Sequence, residues 1–252
     1  MIFAVASLLA VATGCLVAAA NGAPPAVWGR NALAWLLGAL ISKLLARQIP
    51  TRLITAILLL TPILLLLSLW QSGQSGVHRW LSLGPLNWNV AFLCLPAAIV
   101  ALTATPRPPW PLAFIVASLL CLQPDASQAT AFALALSLSQ PLVLPFAALT
   151  WTRPDPLLPV PDVEGIIALA RSQSLLRAVL AVSTLTAAAL SPLFPRRTAS
   201  ATALAIYFLA ISLMPLLGAF PVPLTGMGMS PILGFWLGIG VLSATTKPAM
   251  LT

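Results

Sequence analysis

The amino-acid sequence predicts an all-α, polytopic transmembrane bundle of about eight to ten helices, and two observations carry that expectation. Of 252 residues, 60% are hydrophobic and only 6% charged, with a mean hydropathy of +1.03. Twelve Lys or Arg and four acids are too few to make the polar skin that a soluble domain of this length requires. The apolar residues are also gathered into runs, many of them of the roughly 17 to 25 residues that cross a bilayer.

Taken in order, the runs place helices near 2–20, 31–47, 53–70, 87–104, 110–122, 126–149, 173–192, 198–217 and 229–246. No basic residue precedes the first run and it continues past Cys15, so it is read as a retained helix and not as a cleaved signal. The 110–122 run is short for a span, and Pro141 and Pro145 interrupt 126–149, which predicts a bent or re-entrant piece there. Between the last two runs, Pro221-Val222-Pro223-Leu224-Thr225-Gly226-Met227-Gly228-Met229-Ser230 reads as a discontinuous-helix break. Irregular backbone at bilayer depth persists where protein or water satisfies its polar groups, so this segment is expected to line a cavity.

Basic residues gather in cytoplasmic loops and set the orientation. Lys43, Arg47 and Arg52, then Arg107, then Arg196 and Arg197 mark one side, leaving external the loop 71–86 and the segment 151–172, read as a loop with a re-entrant or interfacial helix. A single crossing by 126–149 would put Arg153 on the cytoplasmic side, so one segment between 105 and 150 must be irregular. The formal charge of +8 is spread over loops and clusters on no soluble face, which argues against nucleic acid as a partner. Cys15, Cys94 and Cys121 lie inside apolar runs without ligand spacing, and His78 is the only histidine, so no His-based metal cluster or triad can form. No phosphate-binding glycine loop with its Lys occurs, which argues against ATP-driven work by this chain itself.

The four acids are the informative charges: Asp125, Asp155, Asp162 and Glu164. Asp125, in Gln123-Pro124-Asp125 between apolar runs, either caps the helix beginning at Ala126 or pairs inside the bundle. Helical spacing puts Glu164, Ala168, Arg171 and Leu175 on one face, where a carboxylate and a guanidinium could meet an anionic, hydroxylated headgroup; the plainer reading is a dipole-favoured Glu and a snorkelling Arg. In the loop Gly76-Val77-His78-Arg79-Trp80-Leu81-Ser82-Leu83-Gly84-Pro85, Trp80 suits an interfacial belt and Arg79 a phosphate contact.

Four segments, in order along residues 76–230, resemble the SEDS family of FtsW/RodA/SpoVE-like membrane glycosyltransferases. The loop 76–85 is similar to the family's G-x-x-R-W-[IL]-x-L-G-P, and Gln123-Pro124-Asp125 to its Q-P-D helix start. Leu158-Pro159 with Glu164-Gly165-Ile166-Ile167-Ala168 is similar to the element carrying the family's essential acid, and Pro221-Val222-Pro223-Leu224 with Gly228 and Ser230 to the break before its last helix. The resemblance implies a multi-pass protein of the bacterial inner membrane that polymerises lipid II in cell-wall synthesis for division or shape. It further implies a class B penicillin-binding transpeptidase as partner and an assisting divalent cation, Mg or Mn. Carried onto this chain, it makes Glu164, or Asp162 two residues away, the general base, and Arg79, Trp80, Asp125, Gln123, Arg171 and Ser230 substrate-binding residues.

The departures are specific. Where the family continues with Q-P-S-E-L-x-K, this chain has Asn89-Val90-Ala91-Phe92-Leu93-Cys94-Leu95, so the acid and lysine are replaced at Phe92 and Leu95, and Glu164 stands where an aspartate is expected. The region between Asp125 and Glu164 is short by about one helix. These features keep two further readings open: a non-catalytic SEDS-like scaffold that binds a lipid-linked precursor or partner, and a small transporter or lipid flippase.

Overall fold

The computed structural model describes residues 1–47, 51–105, 109–153, 155–194 and 197–246. Arg107, Arg196 and Pro154 lie outside the described residues. The protein is an all-α membrane bundle, with eleven α-helices and one small β-hairpin among the described residues. Four stretches are long and apolar enough to cross a membrane: Ile2–Ala20, Arg52–Leu69, Leu175–Leu193 and Ala199–Leu216. Burial is reversed relative to a soluble protein. Leu8, Leu9, Leu36, Leu40, Leu59 and Leu60 are exposed, while Asn31, Thr61, Ser68, Gln123 and Gln128 are buried, as expected where lipid is the solvent.

Helices α1 (Ile2–Ala20) and α2 (Pro25–Leu45) are joined by a tight turn through Gly22, with Pro25 at the first helical position, where its missing N–H costs nothing. Helix α3 (Thr51–Leu69) leads to the segment expected to be a loop, which instead ends in a hairpin of β1 (Trp80–Leu83) and β2 (Leu86–Asn89) turning at Gly84-Pro85. The strands use the first residues of the 87–104 run, because Asn89 caps α4 (Val90–Ala104) by accepting from the Phe92 N–H at 3.0 Å. Helix α5 (Trp110–Leu122) follows.

The 126–149 run is two helices, α6 (Ala126–Leu136) and α7 (Leu144–Trp151), separated by a turn containing Pro141. At 11 and 8 residues they are about 16 and 12 Å long, well short of a hydrocarbon core of roughly 30 Å. They fold back on each other: the Trp151 indole N–H donates to Thr130 Oγ1 (2.9 Å), and Arg153 donates to the Cys121 carbonyl (3.2 Å). Residues on both sides of this re-entrant pair therefore sit at the same end of the bundle, which accounts for the irregular segment that the distribution of basic residues requires.

Helix α8 (Ile166–Gln173) is amphipathic and breaks from α9 (Leu175–Leu190) at Ser174, an extended residue whose hydroxyl caps α9. Helices α10 (Ala199–Leu213) and α11 (Met229–Thr245) close the bundle. Helix α11 packs between α2 and α4. Gly234 makes this possible, since a Cβ there would lie 1.9 Å from the Phe92 carbonyl oxygen. The break before α11 is buried backbone with its polar groups satisfied by protein: the Val222 N–H donates to the Val163 carbonyl (3.2 Å), Met227 N–H to the Asp162 carbonyl (2.9 Å), and the Asn31 amide to the Gly226 carbonyl (2.9 Å). Gly14 of α1 lies directly against Thr225.

Candidate functional site

One end of the bundle gathers the turn at 21–24, the hairpin, the start of α6, the segment 155–165 and the 221–230 break. At its centre is Arg79, only 4% exposed. It leaves the hairpin and reaches the α6 N-terminus, donating to the Pro124 carbonyl and to Asp155 Oδ2 (2.6 Å), while its Nε lies 3.4 Å from Asp125 Oδ2 at ion-pair distance without hydrogen-bond geometry. Asp125 fulfils both roles open to it from the sequence. Its Oδ1 caps α6 by accepting from the Gln128 N–H (3.2 Å) and the Ser127 hydroxyl (2.9 Å), and its other oxygen faces Arg79. Gln123, fully buried, donates to Ser68 Oγ (2.5 Å) and the Leu65 carbonyl (3.0 Å), and Ser68 in turn donates to the His78 carbonyl (2.9 Å). These bonds tie α5, α3 and the hairpin into one buried polar network. Trp80 lies half-buried on its outer edge, beside Ser68 and His78.

The second feature is a cavity of about 420 Å³ between α8, α9 and α10. Glu164, Ala168 and Arg171 line it from the α8 side, and Leu185, Leu209 and Leu213 supply an apolar wall. Three members of the face expected from helical spacing therefore converge here. Leu175 does not, because the break at Ser174 turns α9 away and leaves Leu175 72% exposed. The Glu164 carboxylate accepts from the Val160 N–H (2.7 Å). Burial pushes its pKa above the usual carboxylate range, opposed by that N–H and its own; nearby Asp155 raises it further and Arg79 lowers it. Asp162 points elsewhere, accepting from the Asn21 amide (3.3 Å) and so pinning the α1–α2 turn to the 155–165 segment.

Ser230, in the first turn of α11, accepts from the Asn89 N–H (3.0 Å), so it joins the break to the hairpin. Apart from Asp162, bonded to Asn21, and Trp80, on the edge of the buried network, the nominated residues fall into two groups. Glu164 and Arg171 share the cavity, whereas Arg79, Gln123, Asp125 and Ser230 are committed to internal bonds. Sequence reasoning passed over Asp155, the second carboxylate on Arg79; the signal available was its place as one of only four acids. It also missed the buried Tyr207 hydroxyl, which donates to Gln128 (2.6 Å) and links α10 to α6. Among the described residues no group of three or more His, Cys, Asp or Glu could hold a metal ion.

No family model matches the sequence, and no curated protein matches it. Solved structures do. The chain has a SEDS-like fold. It is similar to the rod shape determining protein RodA of Thermus thermophilus, with a TM-score of 0.70 at 20% identity, covering 96% of this chain and 95% of that one. An aspartate-to-alanine mutant of that protein matches with a TM-score of 0.69 at 19% identity, covering 96% of each chain. A chain of a peptidoglycan synthase complex, described as coordinating polymerization and crosslinking, matches with a TM-score of 0.67 at 18% identity over 96% of each.

Proposed function

We propose that the protein is a SEDS-type peptidoglycan glycosyltransferase of the bacterial inner membrane, polymerising lipid II for cell division or cell shape. The observation that carries this reading is that Glu164 and Arg171 both line one apolar cavity at the site end of the bundle. An apolar wall suits a polyprenyl chain, a guanidinium suits its diphosphate, and a partly buried carboxylate with a raised pKa suits a general base. Glu164 takes the proton from the acceptor sugar's 4-hydroxyl as that oxygen bonds to the anomeric carbon of the donor. The bond from that carbon to the lipid diphosphate breaks, and Arg171 neutralises the charge on the departing group. Among the described residues no group of three or more His, Cys, Asp or Glu is gathered to hold a divalent cation, and no step is routed through one. A class B penicillin-binding transpeptidase is the partner this reading calls for, supported by the likeness to a chain of a peptidoglycan synthase complex.

A second reading, a non-catalytic scaffold of the same fold, is favoured by Phe92 and Leu95. Both are fully buried apolar residues where the resemblance leads one to expect an acid and a lysine. Purified protein incubated with fluorescent lipid II and Mg or Mn, with and without the transpeptidase, separates the two. The glycosyltransferase reading expects glycan strands that disappear in Glu164→Gln while the variant remains folded. Absence of strands from folded wild-type protein with its partner present overturns it in favour of the scaffold.

A further inference from the structure

The apolar belt of the bundle is not of even height. Helices α1, α2 and α3, with 19, 21 and 19 residues, are about 28–32 Å long and match a hydrocarbon core of roughly 30 Å. On the α5–α7 side the belt is lower, because α5 has 13 residues and α6 has 11, about 20 and 16 Å. Internal contacts hold these short helices level with one another. The Gln123 bonds to Leu65 and Ser68 place the end of α5 within the last turn of α3. The Phe114 ring of α5 meets the Phe146 ring of α7 edge-on at 5.5 Å, and Trp151 of α7 bonds to Thr130 of α6.

Both edges of this low face are polar. At the edge away from the site, the turn at 137–140 is irregular, with Leu138 81% exposed and Ser139 exposed beside it. Helix α5 starts at the same edge with exposed Trp110, an aromatic of the kind that marks a membrane interface. At the edge nearer the site, Trp151, Thr152 and Arg153 are exposed. The Arg153 guanidinium donates to the Cys121 carbonyl and has no carboxylate partner among the described residues, since both ion pairs there involve Arg79. Irregular backbone and a guanidinium are both costly against hydrocarbon. A core that kept roughly 30 Å here would submerge one edge or the other.

We propose that the α5–α7 face compresses the bilayer around it to about 16–20 Å, with Arg153 holding phospholipid phosphates of the site-side leaflet and the 137–140 turn meeting the headgroups of the other. The partner of this surface is a phospholipid headgroup layer, which supplies the anion that Arg153 lacks. A bilayer deforms at a modest cost per ångström, whereas the short helices are fixed by their contacts and do not lengthen. The compression holds whichever reaction the site performs.

The test places the full chain in phospholipid nanodiscs, with Cys15, Cys94 and Cys121 replaced by Ala and a nitroxide on Leu138→Cys, Thr152→Cys or Leu60→Cys. Collisions with a polar nickel chelate and with oxygen, which dissolves in hydrocarbon, report the depth of each label. Leu60, 52% exposed at the middle of α3, is the comparison on the full-height side. The Leu138→Cys and Thr152→Cys labels are expected to meet the chelate, relative to oxygen, at least about tenfold more often than the Leu60→Cys label, since the core excludes polar solutes. Arg153→Gln is expected to carry the Thr152→Cys label back into hydrocarbon, and Arg153→Lys to leave it in place. In the chain with its cysteines intact, Leu138→Lys is expected to leave the thermal unfolding midpoint unchanged, whereas Leu60→Lys lowers it. A label at either edge that reads as deep as the Leu60→Cys label overturns the compression. Shielding of both edges from chelate and oxygen alike overturns it in favour of a protein partner on this face. A Thr152→Cys label unmoved by Arg153→Gln refutes the phosphate contact.

Discussion

Replacing Arg79 by Met removes a positive charge that two carboxylates face and leaves the volume almost unchanged. Asp125 has a side chain 2% exposed, and without Arg79 it keeps only its cap bonds at the start of α6. Deleting one partner of a buried ion pair costs about 3–5 kcal/mol, because the remaining charge is stranded away from water. Asp155 accepts the shorter contact, 2.6 Å against 3.4 Å, but its side chain is 22% exposed against 2% for Asp125, so it is less fully stranded when its partner is lost. Arg79→Met is therefore expected to lower the unfolding free energy by about 3–5 kcal/mol. Asp155→Asn, which keeps an oxygen to accept from Arg79 but loses the charge, should cost about 1–2 kcal/mol. Asp125→Asn falls between, because Asn still caps the helix. The triple variant Arg79→Met, Asp125→Asn, Asp155→Asn recovers part of the loss, since no uncompensated charge remains. Titration of the folded protein with SDS, followed by tryptophan fluorescence, measures all four. An Arg79→Met midpoint equal to wild type refutes the clamp and frees Arg79 for the substrate contact that the sequence alone suggests.

Glu164→Gln removes the proposed base and is expected to abolish strand synthesis with little change in unfolding; retained synthesis removes Glu164 from the mechanism. The raised pKa of Glu164 has a definite sign: the base is deprotonated only above that pKa, so the acid limb of the pH–rate profile lies above the ordinary carboxylate value of 4.5. The same shift means that the folded state holds this proton more tightly than the unfolded chain. Its contribution to stability is thus present at low pH and lost as pH rises through the folded pKa, and Glu164→Gln should flatten that slope in SDS titrations at several pH values. Gly234→Ala forces a methyl against the Phe92 carbonyl and should cost about 1–3 kcal/mol by separating α11 from α4. Gly29→Ala, with open space at its Cβ inside α2, should instead gain about 0.5–1 kcal/mol in the same titration.

Composition and run length were enough to define a multi-pass helical bundle, because a bilayer imposes one solution on long apolar segments. The irregular stretch between 105 and 150 was legible too, as a parity conflict in the basic residues together with Pro141 and Pro145. The hairpin at 80–89 was not legible, since strand and helix are both compatible with Leu-Asn-Trp-Asn before an apolar run, and the Asn89 cap decides between them only once α4 is in place. Helical spacing brought Glu164, Ala168 and Arg171 together without any tertiary information. Leu175 failed the same test because Ser174 turns the chain, a local hydrogen-bond choice that periodicity does not encode.

By itself, then, the sequence determined a membrane bundle with a broken approach to its last helix and a carboxylate and a guanidinium brought to one side at the start and end of α8. Those properties follow from solvent preference and helical period, which act residue by residue. Only the tertiary structure decided that Arg79 is clamped between Asp125 and Asp155, that α6 and α7 turn back to the same end, and that protein satisfies the buried backbone of the break. Each of these depends on groups far apart in the chain, such as Arg79 and Asp155 or Asn31 and Gly226, meeting at distances that no local pattern specifies.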